Sequence, residues 1–171
     1  MRQLGKNIVV VGVSASGKST LARQLGEKLG VAVTFVDSIM WKPGWVYVGD
    51  DATAKQLTEL SNRPEWIIEG YIVSDAREAI FEKASTIMYL DYPRPVAVWR
   101  YLKRYWKHRT HPRAELEGSP EKFSFEFLKR VWRKGEAISL DKDLAKVTDQ
   151  TKIMRLHSLA ETRKFLAGIK M

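Results

Sequence analysis

Hydrophobic and polar positions along this chain fall into short blocks that switch between the two-residue period of a strand and the 3.6-residue period of a helix. The first block, Asn7 to Val11, is nearly all β-branched, as in a strand covered on both faces of a parallel sheet. From Lys18 to Leu29, Leu21, Leu25 and Leu29 recur every fourth residue with Ala22 beside them, which predicts a helix ended by Gly30 in the left-handed conformation. Val31 to Val36 predicts a second strand that stops at Asp37. Residues Ser38 to Asp50 form an irregular aromatic stretch with a turn at Pro43-Gly44, and Asp51 to Ser61 reads as a helix. A third strand covers Trp66 to Glu69, a helix Asp75 to Lys83, and a fourth strand Thr86 to Leu90 just before Asp91. Pro95 to His108 predicts a basic helix, since proline suits a first turn and Val98, Leu102 and Tyr105 recur at helical spacing.

Arg109 to Pro120 contains two prolines and a glycine and reads as a flap. Glu121 to Leu140 predicts one helix, with Ser119 or Ser124 as its cap, followed by a polar link from Asp141 to Lys152. A fifth strand, Ile153 to Leu156, and a last helix, Leu159 to Ala167, complete the pattern. The alternation predicts an α/β fold with a parallel sheet covered on both faces, a single domain over residues 1–171 with no internal repeat or linker.

Composition narrows the function. The 171 residues are 44% hydrophobic, with six each of Trp, Tyr and Phe, enough for a sizeable core and against disorder. A formal charge of +9 points to an anionic partner: a nucleotide, a nucleic acid or an acidic metabolite. With no cysteine, disulfide frameworks, thiolate metal sites and cysteine nucleophiles are excluded. The longest apolar run, Ile8 to Val13, falls far short of the roughly 20 residues that cross a bilayer. No secretory pattern opens the chain, so a cytoplasmic protein without a membrane partner is expected.

Between the first strand and first helix stand Gly12, Val13, Ser14, Ala15, Ser16, Gly17, Lys18 and Ser19, which satisfy the spacing G-x4-G-K-[ST] in the context that motif requires. Glycines let such a loop turn its backbone N–H groups inward, and the helix dipole adds positive charge there, so a polyphosphate is the expected occupant. Lys18 is expected on the β- and γ-phosphates, the Ser19 hydroxyl on Mg²⁺, and Thr20 at the α-phosphate.

Ligands of open parallel sheets collect beyond the carboxyl ends of the strands, where Asp37, Glu69 and Asp91 are expected. Asp37 and Glu69 are candidates to hold metal-bound water or to orient an acceptor, whereas Asp91, before Tyr92-Pro93, suits a cap of the basic helix. Trp41, Trp45 and Tyr47 either stack on a flat base or sugar ring or pack as a satellite cluster under a loop. Between Pro93 and Arg113 lie seven Lys or Arg residues and no acid. Arg100 and Arg104 share a helix face, and Arg109 and Arg113 bracket the flap, an arrangement suited to clamping phosphate oxygens bidentately. Trp99, Tyr101, Tyr105 and Trp106 interleave these charges, which leaves weak DNA binding as a second partner class. His108 and His111, three apart with no third ligand, make a weak zinc site.

Several of these elements together resemble the small P-loop proteins known as DNA topology modulation proteins, which look like adenylate kinases and related nucleotide and metabolite kinases. The likeness runs through Gly12 to Thr20, Asp37 with Trp41-Lys-Pro-Gly-Trp45, Trp66 to Tyr71, Leu90-Asp-Tyr-Pro93 leading to Arg100 and Arg104, and Arg109 to Arg113. It implies a three-layer P-loop NTPase fold of the nucleoside monophosphate kinase type, with a five-strand parallel sheet in the order 2-3-1-4-5. It further implies an acceptor-binding region over about 38–65 and an arginine-rich lid over about 109–120. The implied activity is transfer of the γ-phosphoryl group of ATP, with Mg²⁺, to a nucleotide or other small-molecule acceptor by a monomer or dimer. In that scheme Ser19 and Glu69 serve the metal; Asp37, Trp41, Trp45, Glu69 and Tyr71 meet the acceptor; and Lys18 with Arg100, Arg104, Arg109 and Arg113 stabilises the transferring charge. Two alternatives follow from the same residues: a weakly hydrolysing ATP-binding protein associated with DNA, and a small-metabolite kinase of the shikimate or gluconate type.

Overall fold

The computed structural model describes residues 4–116, 118–133 and 135–169, leaving aside the side chains of residues 135 and 136. Position 117 of the expected lid and position 134 of the expected 121–140 helix lie outside the described residues. Five parallel strands form the central sheet: β1 (Asn7–Gly12), β2 (Val33–Phe35), β5 (Trp66–Glu69), β6 (Thr86–Leu90) and β7 (Ile153–Leu156). Two short antiparallel strands, β3 (Trp41–Lys42) and β4 (Val46–Tyr47), form a separate hairpin. The helices are α1 (Lys18–Leu29), α2 (Val36–Met40), α3 (Asp50–Ser61), α4 (Ser74–Lys83), α5 (Arg94–His108), α6 (Phe125–Arg133), α7 (Gly135–Ala145) and α8 (Leu159–Ala167).

Alternation along the strands builds the two faces. Ile8, Val10, Ile67, Met88 and Leu90 point to one side, where they meet Leu21, Ala22 and Leu25 of α1, with Phe165 and Leu166 of α8 at the margin. Val9, Val11, Ile68, Ile87 and Tyr89 point to the other, against Leu57 of α3, Ala76, Ile80 and Phe81 of α4, and Leu140 and Leu144 of α7. The inner strands are apolar at almost every position because both sides are covered. Each fully buried Leu, Ile or Val contributes about 1.5–3 kcal/mol.

Counted over all seven strands, the sheet order is β2-β5-β1-β6-β7; it differs from the expected 2-3-1-4-5 in numbering alone, because the β3–β4 hairpin is inserted between the second and third strands of the sheet. The expected strand from Val31 to Val36 shortens at both ends. Val31 donates its N–H to Gly26 O and so closes α1, while Val36 opens α2 and packs its Cβ where a side chain on Gly70 would sit. Asp37 therefore lies in the first turn of a short helix and not at a strand end. The 121–140 helix is interrupted. Glu121 donates its N–H to His108 O, Ser124 donates its N–H to the Tyr101 hydroxyl, and α6 begins only after Ser124, whose Oγ accepts from Phe127 N at 3.1 Å. Conversely α7 runs on into the expected link, because Leu140 and Leu144, four residues apart, bury against the sheet. Asp91 does not cap α5, whose first turn has no side-chain cap; it faces His157 at 3.8 Å.

Candidate functional site

The parallel registers bring the strand ends level in two pairs: Phe35 of β2 with Glu69 of β5, and Gly12 of β1 with Leu90 of β6. At Gly12 the chain turns with φ of 144° so close to β6 that a Cβ would sit 2.4 Å from Leu90 O. Ala15 and Gly17 follow at φ of 64° and 95°, which curls the loop into a concave nest of amides. No side chain caps α1, and its first intrahelical bond runs from Leu21 N to Gly17 O. The amides of Ser19 and Thr20 therefore have no acceptor within the helix. Lys18 Nζ donates to Val13 O at 3.0 Å across the loop. The Ser16 hydroxyl is fully buried and has no hydrogen-bond partner among the described residues. Thr20 is exposed beside them, and Ser14 and Ala15 are half-buried.

Glu69 stands at the end of β5 with only 6% of its surface exposed. Burial pushes its carboxyl from the ordinary 4.5 up to about 7; Asp37 and Glu115 add to the rise, while Lys18 and a hydrogen bond with Ser19 oppose it. Lys18, Ser19, Glu69 and Asp37 thus share one electrostatic neighbourhood.

The four arginines divide. Arg100 Nη1 donates to Ser16 O at 2.8 Å, and its guanidinium fills the place a Cβ on Gly17 would take, so the loop is closed from above by a cation. Arg104 pairs with Glu121, Nε to Oε1 at 3.1 Å, between the rings of Tyr101 and Phe127, and burial lowers its pKa against the pull of Glu121. Arg113 Nε lies 2.9 Å from the same Glu121 oxygen, with Nη1 at 3.6 Å from both Asp37 and Glu115. Arg109 is not brought in: it is exposed and stacks 4.4 Å over Trp106.

The aromatic hairpin packs on itself and on the lid. Trp41 meets Trp45 edge-on at 5.7 Å and Tyr47 at 5.1 Å. Trp45, at φ of 64°, donates Nε1 to Pro120 O at 2.9 Å, and Ser119 Oγ accepts from the amides of Gly44 and Trp45 at 3.1 and 3.3 Å. Tyr71 is exposed on the turn after β5, with the Arg77 guanidinium 5.2 Å from its ring. His108 Nδ1 is 3.1 Å from His111 O, and among the described residues no three His, Asp or Glu side chains gather as a metal site would require.

Sequence reasoning missed Arg23, Glu115 and Glu121. Arg23 of α1 pairs with Glu115 and covers the Phe35 ring. The two lid glutamates are nearly buried, 5% and 6% exposed at the side chain. Their one signal is that acids resume directly after the acid-free stretch that ends at Arg113.

No family model matches the sequence, and no curated protein does. Among solved structures, the chain is similar to a gluconokinase from Sinorhizobium meliloti 1021, at 18% identity over 97% of this chain and 94% of the other, with a TM-score of 0.56. It is similar as well to a shikimate kinase from Bacteroides thetaiotaomicron, at 16% identity over 94% and 93%, with a TM-score of 0.59. No helix among the described residues is long and apolar enough to cross a membrane. The fold is the α/β fold of these solved kinases, a five-strand parallel sheet covered by helices on both faces.

Proposed function

We propose that this chain is an ATP- and Mg²⁺-dependent phosphotransferase that moves a γ-phosphoryl group to a small acceptor. The observation that supports this best is the convergence of Lys18, Ser19, Glu69 and Asp37 around a loop that Arg100 closes through Ser16 O. Ser19 and Glu69 fit a magnesium ion: a hydroxyl and a buried carboxylate are hard oxygen donors, and the ion would take its other ligands from phosphate and water. Bound there, Mg²⁺ would neutralise charge on the phosphate oxygens.

The chain's own groups do the rest. The loop amides and the buried Ser16 hydroxyl donate to phosphate oxygens, and Lys18 leaves Val13 O for the β- and γ-phosphates. Arg100, which closes the loop through Ser16 O, would stabilise the charge that builds up as the γ-phosphorus leaves its bridging oxygen. Asp37 takes the acceptor's hydroxyl proton as the new oxygen–phosphorus bond forms and ADP departs. The test is transfer of label from γ-labelled ATP across an acceptor panel. Wild-type protein should label an acceptor, and Lys18→Ala should reduce transfer by about 10³-fold or more, since electrostatic groups at this position supply several kcal/mol. ATP bound but never transferred would refute the reading.

A second reading, weak DNA contact, is favoured by α5 and the residue that caps it, where Lys103 and Arg109 lie 5.2 and 4.4 Å over the exposed indoles of Trp99 and Trp106. Its signature is DNA affinity that falls steeply with salt.

A further inference from the structure

We infer that the acceptor is an uncharged or cationic molecule bearing hydroxyl or amine groups, and that Glu115 and Glu121 enforce this by occupying the guanidinium groups an anionic acceptor would need. The inference rests on the phosphotransferase reading and adds the substrate class to it.

Three guanidinium groups from three elements gather on Glu115 and Glu121: Arg23 of α1, Arg104 of α5 and Arg113 of the lid. All three face carboxylates: Arg104 and Arg113 are held in these pairs largely out of solvent, 23% and 11% exposed, while Arg23 is 43% exposed. Arg23 pairs with Glu115, Arg104 with Glu121 at 3.1 Å, and Arg113 with Glu121 at 2.9 Å and with Glu115 and Asp37 at 3.6 Å. Three cations face three carboxylates, so the cluster carries no net charge to draw an anion. Lys18 and Arg100 are engaged at the phosphate loop, through Val13 O and Ser16 O.

An anionic acceptor could still capture an arginine by exchange, but burial opposes this. Glu115 and Glu121 are almost wholly enclosed, and withdrawing a guanidinium from either leaves a buried carboxylate short of its partner beside the incoming anion. The accessible carboxylate of the cluster is that of Asp37, 41% exposed against 5% and 6% for Glu115 and Glu121, with the Trp41, Trp45 and Tyr47 rings following it in the chain. An exposed carboxylate suits a hydroxyl or an ammonium, which can donate to it.

The test is calorimetric titration of protein first saturated with a non-hydrolysable ATP analogue and Mg²⁺, so that the phosphate loop is filled. The titrants are AMP, gluconate and shikimate as anions, and a neutral polyol and an amino sugar as the contrasting class. Wild-type protein should bind the anions no more tightly than about 10 mM, and Glu121→Gln should tighten AMP binding by at least about tenfold, because it leaves Arg104 and Arg113 short of one carboxylate. Glu115→Gln should do the same through Arg23 and Arg113, and it decides the matter if Glu121→Gln fails to fold. Wild-type protein that takes AMP, gluconate or shikimate below about 1 mM, or folded glutamine variants with unaltered anion affinity, would overturn the inference. Failure to bind the ATP analogue at all would refute the phosphotransferase reading, and this one with it. Analogue binding followed by tight anion binding would refute only the acceptor class.

Discussion

Replacing Glu69 by glutamine keeps the shape of the side chain and removes its charge, so it isolates what the buried carboxylate does to the fold. Its proton is held up to about 7 in place of the ordinary 4.5, chiefly by burial. A folded-state pKa raised above the unfolded one contributes stability that is fully present below about 4.5 and is lost as pH rises through about 7. At about 1.36 kcal/mol per pH unit, ionisation at alkaline pH costs the wild type about 3 kcal/mol. Glu69→Gln should therefore match the wild type at pH 4.5 and exceed it by about 1–3 kcal/mol at pH 8.5, the lower figure allowing for the partner that Lys18 loses. Urea unfolding at the two pH values, without nucleotide, measures this directly, and each kcal/mol should raise Tm by about 2–4 °C. Metal-dependent turnover should fall by about 10²-fold or more, and wild-type activity should rise with pH through about 7. A variant whose stability difference from wild type is the same at both pH values would refute the assignment of a desolvated carboxyl at this position.

Two further substitutions probe the loop and the lid. Gly12→Ala places a Cβ 2.4 Å from the Leu90 carbonyl at a φ of 144°, and backbone on both sides cannot yield, so it should cost at least about 3 kcal/mol in thermal or urea unfolding and weaken ATP binding. A loss below about 1 kcal/mol would contradict the close approach of β1 and β6. Ser119→Ala removes the acceptor for two amides of the aromatic hairpin and should cost about 1–3 kcal/mol, with a red shift in tryptophan emission as Trp45 gains water. Unchanged emission and unchanged melting would show that the hairpin holds without it.

The parts of the site that could be read in advance are those whose chemistry is local. Gly12, Gly17 and Lys18 sit within one short loop whose spacing dictates positive φ, inward amides and a cation at the mouth. The strands were legible because Val9 and Val10, or Ile67 and Ile68, are apolar on both faces, a pattern that only a covered parallel strand requires. The hairpin at Trp41–Tyr47 was hidden, since two-residue strands carry no periodicity and Trp45 adopts a left-handed φ that its residue type does not advertise. The lid acids were hidden for another reason. Glu115 is tied to Arg23, 92 positions away, and such a pair leaves no mark on spacing along either segment. Arg109 shows the converse limit: it belongs to the basic run, yet an indole at Trp106 captures it first.

The bonds between Ser119 and the hairpin amides span about 75 positions of chain, and with the Trp45 indole on Pro120 they join the two outer margins of the crevice into one shutter. Any swing of residues 118–120 carries the tryptophans with it. Under the proposed phosphotransferase reading, entry of an acceptor and escape of its phosphorylated product would therefore share a single motion, timed by how fast that shutter lifts.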